Sequence, residues 1–225
     1  MPEIILVAAS GLAREVLACI RNSGTADVIG FLDDDPALAG RDLDGVPVLG
    51  RINDATAYPT ASFVLCAGKG GTREKIAFVL AGLGIGSVRY TSVVDKSVAV
   101  TDGSIIGAGC ILLANVVLTA GVRLGSHVVA MPQVTFTHDD DADDFATLAA
   151  GVSLGGGVHV GRRAYLGMNS SVREHLSIGA GATVGMGAAV LQDVPDDETW
   201  AGVPARPLRG GQTPAPAPNS TNGRH

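Results

Sequence analysis

The sequence predicts a Rossmann-like α/β domain followed by a left-handed parallel β-helix built from hexapeptide repeats. Apolar residues recur every six positions from Val94 to Val190, and the 31 glycines of this 225-residue chain suit tight, repetitive turns. Strand-like and helix-like segments alternate before the repeats begin, which predicts the α/β domain. We expect the α/β domain over residues 1–92, the β-helix over 93–208, and a disordered tail rich in Pro and Gly over 209–225.

Three apolar segments and the turns after them predict the α/β domain. Residues 3–9 (EIILVAA), 28–34 (VIGFLDD) and 61–68 (ASFVLCAG) are typical of buried strands. An amphipathic helix follows the first segment with Ser10 as its N-cap, and a second helix starts near Lys69. Strands that alternate with helices indicate a parallel sheet.

The turns after these strands are candidates for ligand binding. The first turn reads AASGLA and lacks the GxGxxG fingerprint, which argues against NAD binding, although a helix N-terminus at this point attracts phosphate. Asp33 and Asp34 end the second strand, where they either bind ribose or sugar hydroxyls or simply begin a turn. Gly68 and Lys69 form a second strand-to-helix junction at the same sheet edge, where Lys69 either meets a phosphate or sugar or is solvated.

The six-residue period is the strongest signal in the sequence. Steps of six from Val94 to Val190 reach 17 positions, and all of them are apolar. A second series lies four residues further on, and its members are small or β-branched apart from Leu176 and Asp140. This period fits neither an α-helix nor a simple two-residue alternation, but it fits short strands joined by turns, with two inward side chains per hexad.

The repeat weakens at one place, residues 138–144 (HDDDADD), where Asp140 falls on an inward position. An unpaired carboxylate is costly to bury, so we expect the coil to bulge or loop outward here. Local departures of this kind often mark a functional site.

Charge, cysteines and hydropathy argue against several classes of protein. The net charge of −6 and the pI of about 5.2 give no sign of a nucleic-acid partner. The three cysteines are odd in number and far apart, so no disulfide framework or CxxC metal pair is predicted. Residues 103–122 carry no charge and could span a bilayer, but the repeat continues through them. The N-terminus lacks the basic region of a signal peptide, so we expect a cytoplasmic protein with no membrane insertion.

The segments ASGLAREV, FLDD, THDD and WAGVPAR, placed around hexapeptide repeats, resemble the nucleotide-sugar acetyltransferase family. That family includes bacillosamine-pathway and perosamine N-acetyltransferases and sialic acid O-acetyltransferases. The resemblance covers residues 3 to about 208. It implies an acetyl-CoA-dependent N-acetyltransferase, without a metal, that acts on a 4-amino-deoxy sugar linked to UDP, GDP or dTDP. It also implies a homotrimer with active sites between neighbouring β-helices.

The resemblance further implies the residues of the site. The catalytic base of the family matches His138, and the acidic residue after it matches Asp139. The residues that hold the nucleotide sugar match Ser10, Gly11, Leu12, Asp33, Asp34, Gly68 and Lys69. The contacts to acetyl-CoA match Thr147, Gly156, Met168 and Met186. Two positions depart from the family pattern: some members have histidine in place of Leu12, and many have a second histidine, near the thioester, in place of Thr147.

Acetyl transfer to an amine suits these residues chemically. A histidine that titrates near neutrality can take the proton, a neighbouring carboxylate can orient its ring, and backbone N–H groups near Gly156 can stabilise the oxyanion. His138 lies beside the irregular hexad, and the resemblance makes it the choice for the base. The other repeat histidines fall on outward positions, where we expect surface or trimer-interface residues: His127, His159 and His175.

Three other functions are compatible with parts of the sequence pattern. A sialic-acid-type O-acetyltransferase would use the same base on a hydroxyl. A zinc carbonic anhydrase on the same β-helix needs three converging histidines, and five residues beyond His138 lies Asp143 instead. A purely structural or binding β-helix is the third alternative. The trimer is also expected because outward residues such as Val117, Ile111 and Val129 are more apolar than a solvated face should be.

Overall fold

The computed structural model describes residues 1–208, and the predicted tail over 209–225 lies outside the described residues. The predicted fold class is confirmed: a Rossmann-like α/β region leads into a left-handed parallel β-helix of stacked short strands. No helix within residues 1–208 is long and apolar enough to cross a membrane. The uncharged stretch over 103–122 forms three short strands of the β-helix instead.

The α/β region contains one five-stranded sheet in the order β3-β4-β2-β1-β5. Its strands are β1 (Glu3–Val7), β2 (Asp27–Leu32), β3 (Asp42–Leu43), β4 (Val46–Gly50) and β5 (Ser62–Leu65). All neighbouring strands are parallel except β3 and β4, which form an antiparallel pair that the sequence did not predict. The helices are α1 (Gly11–Ser23) and α2 (Gly70–Gly82), with short 3₁₀ helices at Pro36–Leu38, Ile52–Ala57 and Ser87–Arg89.

The two helices cover opposite faces of this sheet. Alternate residues of β1 point to opposite faces of the sheet. Leu6 belongs to the same buried cluster as Val16 of α1, whereas Val7 belongs to a second cluster that includes Leu80 of α2. Ser10 caps α1 as predicted, because its hydroxyl accepts a hydrogen bond from the N–H of Ala13 at 3.3 Å.

The β-helix contains 17 two-residue strands in the phase of the hexapeptide repeat, because the apolar positions from Val94 to Val190 are the second residues of β6 to β22. Partner strands lie 18 residues apart, as in the pairing of Val117 with Thr135, so three hexads make one coil. The coils stack into a triangular prism with three sheets, which we call faces I, II and III and which are parallel apart from the last strand pair of face I.

The strands of the prism are divided among the three faces as follows. Face I has β6 (Val93–Val94), β9 (Ile111–Leu112), β12 (Val129–Ala130), β15 (Thr147–Leu148), β18 (Tyr165–Leu166), β21 (Thr183–Val184), β23 (Thr199–Ala201) and β24 (Arg206–Pro207). Face II has β7 (Ala99–Val100), β10 (Val117–Leu118), β13 (Thr135–Phe136), β16 (Ser153–Leu154), β19 (Ser171–Val172) and β22 (Ala189–Val190). Face III has β8 (Ile105–Ile106), β11 (Arg123–Leu124), β14 (Asp141–Ala142), β17 (His159–Val160) and β20 (Ser177–Ile178).

The α/β region packs on face I of the prism. Ile111 and Val129 are buried in the same cluster as Leu12 and Val16 of α1. The expectation that these two residues lie in a trimer interface is therefore wrong, because they are covered by the chain's own first domain. Val117, the third residue of that set, lies on face II and is half-buried.

The coil does not bulge at the irregular hexad. β14 pairs in register with the coils on both sides of it, and Asp140 is fully buried at its inward position. The expected outward loop is wrong because the carboxylate is not unpaired: it accepts hydrogen bonds from the N–H groups of Thr137 at 2.7 Å and Val158 at 2.9 Å.

Candidate functional site

The predicted substrate loops meet at one edge of the α/β sheet. β1, β2 and β5 are parallel neighbours, so their carboxyl ends lie side by side. The hydroxyl of Ser10 donates to the carbonyl of Cys66 at 2.5 Å, and the N–H of Ala9 donates to the Asp33 carboxylate at 2.7 Å. Gly11 begins α1 on the exposed side of this edge, whereas Leu12 is buried. The structure thus brings the three predicted loops together.

Both acidic residues of the second loop accept hydrogen bonds from backbone N–H groups. Asp33 binds the N–H of Asp35 at 2.8 Å in addition to that of Ala9, and Asp34 binds the N–H of Ile52 at 3.0 Å. The two carboxylates therefore shape the sheet edge as turn residues. Asp34 is exposed and Asp33 is half-buried, so both also present acceptor groups at this edge.

Arg73 joins the third loop to the β-helix, and sequence reasoning missed it. Its guanidinium is fully buried and donates to the carbonyls of Ala67 and Gly68 at 2.8 and 3.0 Å. On the β-helix side it donates to the carbonyls of His127, Phe145 and Ala146 and to the hydroxyl of Thr147. Burial lowers the pKa of Arg73 to about 10, which leaves it charged at neutral pH. The sequence does contain a sign that Arg73 is buried. It lies three residues before Ile76 and seven before Leu80, a spacing that places all three on one side of α2.

Thr147 belongs to this same junction. It is buried, accepts from Arg73 at 2.9 Å and donates to the carbonyl of Gly68 at 3.1 Å. A predicted contact residue of acetyl-CoA and a predicted residue of the sugar site are therefore hydrogen-bonded to each other. Gly70 follows Lys69 at the start of α2 with no room for a side chain, because a Cβ atom would lie 2.1 Å from the carbonyl oxygen of Phe145.

A cleft of about 910 Å³ opens between this junction and face I. From the α/β region it is lined by Leu12, Gly68, Lys69 and Lys75, and from face I by Val129, Thr147, Tyr165 and Thr183. Arg163 lines it as well and pairs with Glu74 at 3.3 Å. The cleft combines apolar walls, cationic side chains and the N-terminal end of α2, a lining suited to a large phosphate-bearing ligand.

His138 and Asp139 form a hydrogen-bonded pair at the corner between faces II and III. The Nδ1 atom of His138 lies 2.9 Å from the Asp139 carboxylate, and 63% of the His138 side chain is exposed. An ionised carboxylate can only accept a hydrogen bond, so in the neutral imidazole this contact places the proton on Nδ1 and leaves the lone pair on Nε2. Asp139 takes the left-handed backbone conformation (φ 62°), which Asp tolerates.

Gly156 lies beside the free nitrogen of this imidazole. A Cβ atom on Gly156 would lie 2.3 Å from Nε2 of His138, so only glycine leaves room for the ring. The turn of Gly156 is stacked on that of His138, because the N–H of Gly157 donates to the His138 carbonyl at 2.8 Å. The structure therefore brings together three predicted residues, His138, Asp139 and Gly156.

Met168 and Met186 are stacked on successive coils at the corner between faces I and II. The N–H of Gly187 donates to the Met168 carbonyl at 2.8 Å, and both methionine side chains are exposed. Within one chain, the predicted residues thus form three separate groups: one at the cleft on face I, one at the corner of faces I and II, and one at the corner of faces II and III.

The other repeat histidines differ in environment. His127 is buried between Tyr90 and Phe145, so its expected place at the surface or in an interface is wrong. Burial, and then the charge of Arg73, lower the pKa of His127 to about 4. His175 is exposed.

His159 lies next to two carboxylates on face III. Its Nδ1 atom is 4.0 Å from Asp141 and its Nε2 atom is 3.5 Å from Asp143. Possible ligand atoms of these three residues lie within 4.8 Å of one another. This set contains one histidine, whereas the carbonic anhydrases of this fold need three.

Comparison with protein families finds a match for the α/β region. A family model described as the PglD N-terminal domain matches residues 3–80. No relative was found among curated protein sequences.

Solved structures match almost the whole chain. The acetyltransferase domain of PglB from Neisseria gonorrhoeae FA1090, in complex with acetyl coenzyme A, is 28% identical, with a TM-score of 0.84 over 92% of this chain and 98% of that one. PerB from Caulobacter crescentus, in complex with CoA and GDP-perosamine, is 26% identical, with a TM-score of 0.83 over 93% of this chain and 98% of that one. WeeI from Acinetobacter baumannii AYE is 28% identical, with a TM-score of 0.76 over 92% and 100%.

The α/β domain, the hexapeptide β-helix and the similarity to two acetyltransferases along nearly their full length agree with the family resemblance of the sequence. The chain is therefore similar to nucleotide-sugar N-acetyltransferases of the hexapeptide-repeat superfamily along nearly its whole length, and it is an acetyltransferase.

Proposed function

We propose that this protein transfers the acetyl group of acetyl-CoA directly to the amine of a nucleotide-linked 4-amino-deoxy sugar, with His138 as the general base. The observation that carries the proposal is the arrangement of three residues: Nδ1 of His138 faces Asp139, and its Nε2 faces the glycine turn at Gly156. Structures similar to this chain contain acetyl-CoA, or CoA together with GDP-perosamine, which supports acetyl-CoA-dependent N-acetylation of an amino sugar.

The chemistry follows from this geometry. The neutral amine of the sugar attacks the thioester carbonyl, and Nε2 of His138 accepts the proton that the amine loses. Asp139 holds the Nδ1–H tautomer and stabilises the imidazolium that forms. The backbone N–H of Gly156 binds the oxyanion of the tetrahedral intermediate. When the C–S bond breaks, the imidazolium of His138 gives the proton to the sulfur, so CoA leaves as its thiol. No covalent acyl-enzyme is needed.

In this proposal, the three groups of predicted residues form one active site only when two copies of the chain meet. In a triangular prism, the corner of faces II and III, which carries His138, lies opposite face I, which carries the cleft. A neighbouring copy is needed to place one chain's base beside another chain's cleft. We therefore propose a homotrimer with three shared sites, in which Met168 and Met186 line the path of acetyl-CoA beside Thr147.

The sheet edge of the α/β domain supplies the nucleotide-sugar site in this proposal. The diphosphate lies near the N-terminal ends of α1 and α2, where backbone N–H groups and Lys69 favour negative charge. Gly11 and Gly68 allow close approach of the ligand, and the carboxylates of the half-buried Asp33 and the exposed Asp34 take sugar or ribose hydroxyls.

The test is an acceptor panel with the purified full-length chain. Release of the CoA thiol is measured with acetyl-CoA and a 4-amino-4,6-dideoxy sugar linked to UDP, GDP or dTDP, and then with the free amino sugar and with sialic acid. All three cysteines are buried, which limits the background of a thiol reagent. We expect one nucleotide-linked amine to exceed both free sugars by about 10²-fold or more in kcat/KM, because binding of the remote nucleotide contributes to the rate.

The panel also separates the alternatives. Equal rates for free and nucleotide-linked sugars would show that the α/β domain is not a nucleotide site. Preference for sialic acid would indicate an O-acetyltransferase. An absence of thiol release with every acceptor, combined with no acetyl-CoA binding by calorimetry, would favour a structural β-helix. A parallel series in EDTA tests whether a metal is required.

A further inference from the structure

We propose that Asp140 is a positioning residue that holds His138 in its catalytic orientation, an inference that rests on the proposed role of His138. Asp140 is the one charged residue in the inward series of the repeat, and its side chain is fully buried in the prism. A buried carboxylate is costly unless it is hydrogen-bonded, so its partners show what it does for the structure.

The first partner fixes the peptide that leads into His138. One carboxylate oxygen, Oδ2, accepts the N–H of Thr137 at 2.7 Å. Thr137 directly precedes His138, and Asp139 directly precedes Asp140. The carboxylate therefore closes a turn around His138 and Asp139 and restricts the backbone from which the imidazole projects.

The second partner fixes the turn on which the imidazole lies. The other oxygen, Oδ1, accepts the N–H of Val158 at 2.9 Å from the next coil. In that same turn the N–H of Gly157 donates to the His138 carbonyl, and Gly156 lies beside Nε2. One carboxylate thus connects the peptide that carries the base with the glycine turn that is proposed to hold the oxyanion.

Where the inward position holds an apolar residue such as Val134, the corresponding N–H of the next coil bonds to a different acceptor. The N–H of Val152 donates to the carbonyl of Ala149 in its own turn at 3.2 Å, whereas the N–H of Val158 donates across to Asp140. Two oxygen acceptors are needed for two N–H donors. Asparagine offers one oxygen, and its NH₂ group would face the second N–H.

The experiment compares Asp140→Val, which restores the apolar pattern of the repeat, with Asp140→Asn, which keeps the volume and one acceptor. We expect Asp140→Val to lower kcat about 10- to 100-fold with the KM for acetyl-CoA changed less than about threefold, because a base displaced by a fraction of an ångström to an ångström loses rate rather than binding. Asp140→Asn should lose less. The control is Asp196→Ala, which removes a carboxylate bond to the N–H of Ala180 in coils that follow the coil of His138 by more than two 18-residue turns.

A spectroscopic measurement distinguishes positioning from a purely structural role. In protein labelled at histidine Cε1, the His138 signal is identified by its loss in His138→Ala. We expect this signal to move in both Asp140 variants and to stay unchanged in Asp196→Ala. If Asp140→Val does not fold, kcat and the His138 signal of Asp140→Asn test the positioning role instead.

The outcomes separate this inference from the proposed function. Wild-type kcat and an unmoved His138 signal in a folded Asp140 variant would overturn the positioning role while leaving His138 as the base. A similar loss of kcat in Asp196→Ala would show that Asp140 only stabilises the coils and does not position His138. Wild-type turnover in His138→Ala would instead overturn the proposed function itself.

Discussion

The imidazole of His138 occupies the space into which a side chain at position 156 would project. A Cβ atom on Gly156 would lie 2.3 Å from Nε2 and 2.4 Å from Cε1 of that ring. The ring is the mobile end of an exposed side chain, so a new methyl group would push it aside without disturbing the coil. The residue type at position 156 therefore controls where the His138 imidazole lies.

Gly156→Ala is expected to lower kcat by about 10²-fold while leaving thermal stability nearly unchanged, because the displaced imidazole no longer reaches the amine. The measurement is steady-state release of CoA together with a melting curve. Gly82→Ala is the matched control, since a Cβ atom there meets nothing within 4 Å, and it should keep full activity. Full activity in Gly156→Ala would show that the observed orientation of His138 is not the working one.

Arg73→Ala is expected to lower the free energy of unfolding by about 3 kcal/mol or more. It leaves several buried carbonyls on both sides of the junction without a donor, and each unsatisfied group costs about 1–3 kcal/mol. Urea unfolding at one fixed chain concentration provides the measurement. Arg41→Ala is the control, because Arg41 is exposed and its loss should change stability by less than about 0.5 kcal/mol. Equal stability of the two variants would contradict the role of Arg73 as the link between the domains.

The repeat phase predicted all the strands from β6 to β22, because hexads repeat a local pattern of strand and turn that the sequence displays directly. The meeting of the three loops at one sheet edge was likewise predictable from parallel strand order. The junction of Arg73 with Thr147 was not, because its hydrogen bonds join residues 74 positions apart. The wrong prediction of an outward loop at Asp140 has a similar cause. The N–H of Val158, which offsets part of the cost of burying this carboxylate, lies 18 residues later and cannot be recognised from the local sequence.

The buried His127 is expected to make the free energy of unfolding decrease as the pH falls. Its pKa is lowered from 6.5 to about 4 in the folded protein, so below pH 6.5 the unfolded chain binds a proton that the folded chain does not. Stability is therefore complete above pH 6.5 and is lost progressively towards pH 4. Between pH 7.5 and 5 this amounts to about 1–2 kcal/mol.

The measurement is the free energy of unfolding at pH 7.5 and pH 5 for wild type and for His127→Asn, since Asn tolerates the φ of 58° at this position. Asp140 acts in the opposite direction, because burial raises its pKa from 3.8 to about 6 and the folded state takes up its proton first as the pH falls. That contribution is common to both proteins and cancels in the comparison. Identical pH dependence in the two would contradict a buried, neutral His127.

The proposed site between subunits predicts complementation between two inactive variants. His138→Ala removes the base, and Lys69→Glu reverses the charge at the start of α2, where the cleft begins. In a mixed trimer, one interface pairs an intact His138 with an intact cleft. Co-expressed variants should therefore recover activity that neither has alone, with sedimentation showing trimers. No recovery, or a stable monomer at micromolar concentration, would place the whole site within one chain.

The most direct test of the account is kcat for acetyl transfer by His138→Ala, measured with the best nucleotide-linked amino sugar of the acceptor panel at saturating acetyl-CoA. The side chain is exposed at a corner of the prism, so its removal should leave the fold and the oligomeric state intact. We expect kcat to fall by about 10²- to 10⁴-fold, the usual contribution of a general base. Wild-type turnover by a correctly folded His138→Ala protein would contradict the central claim.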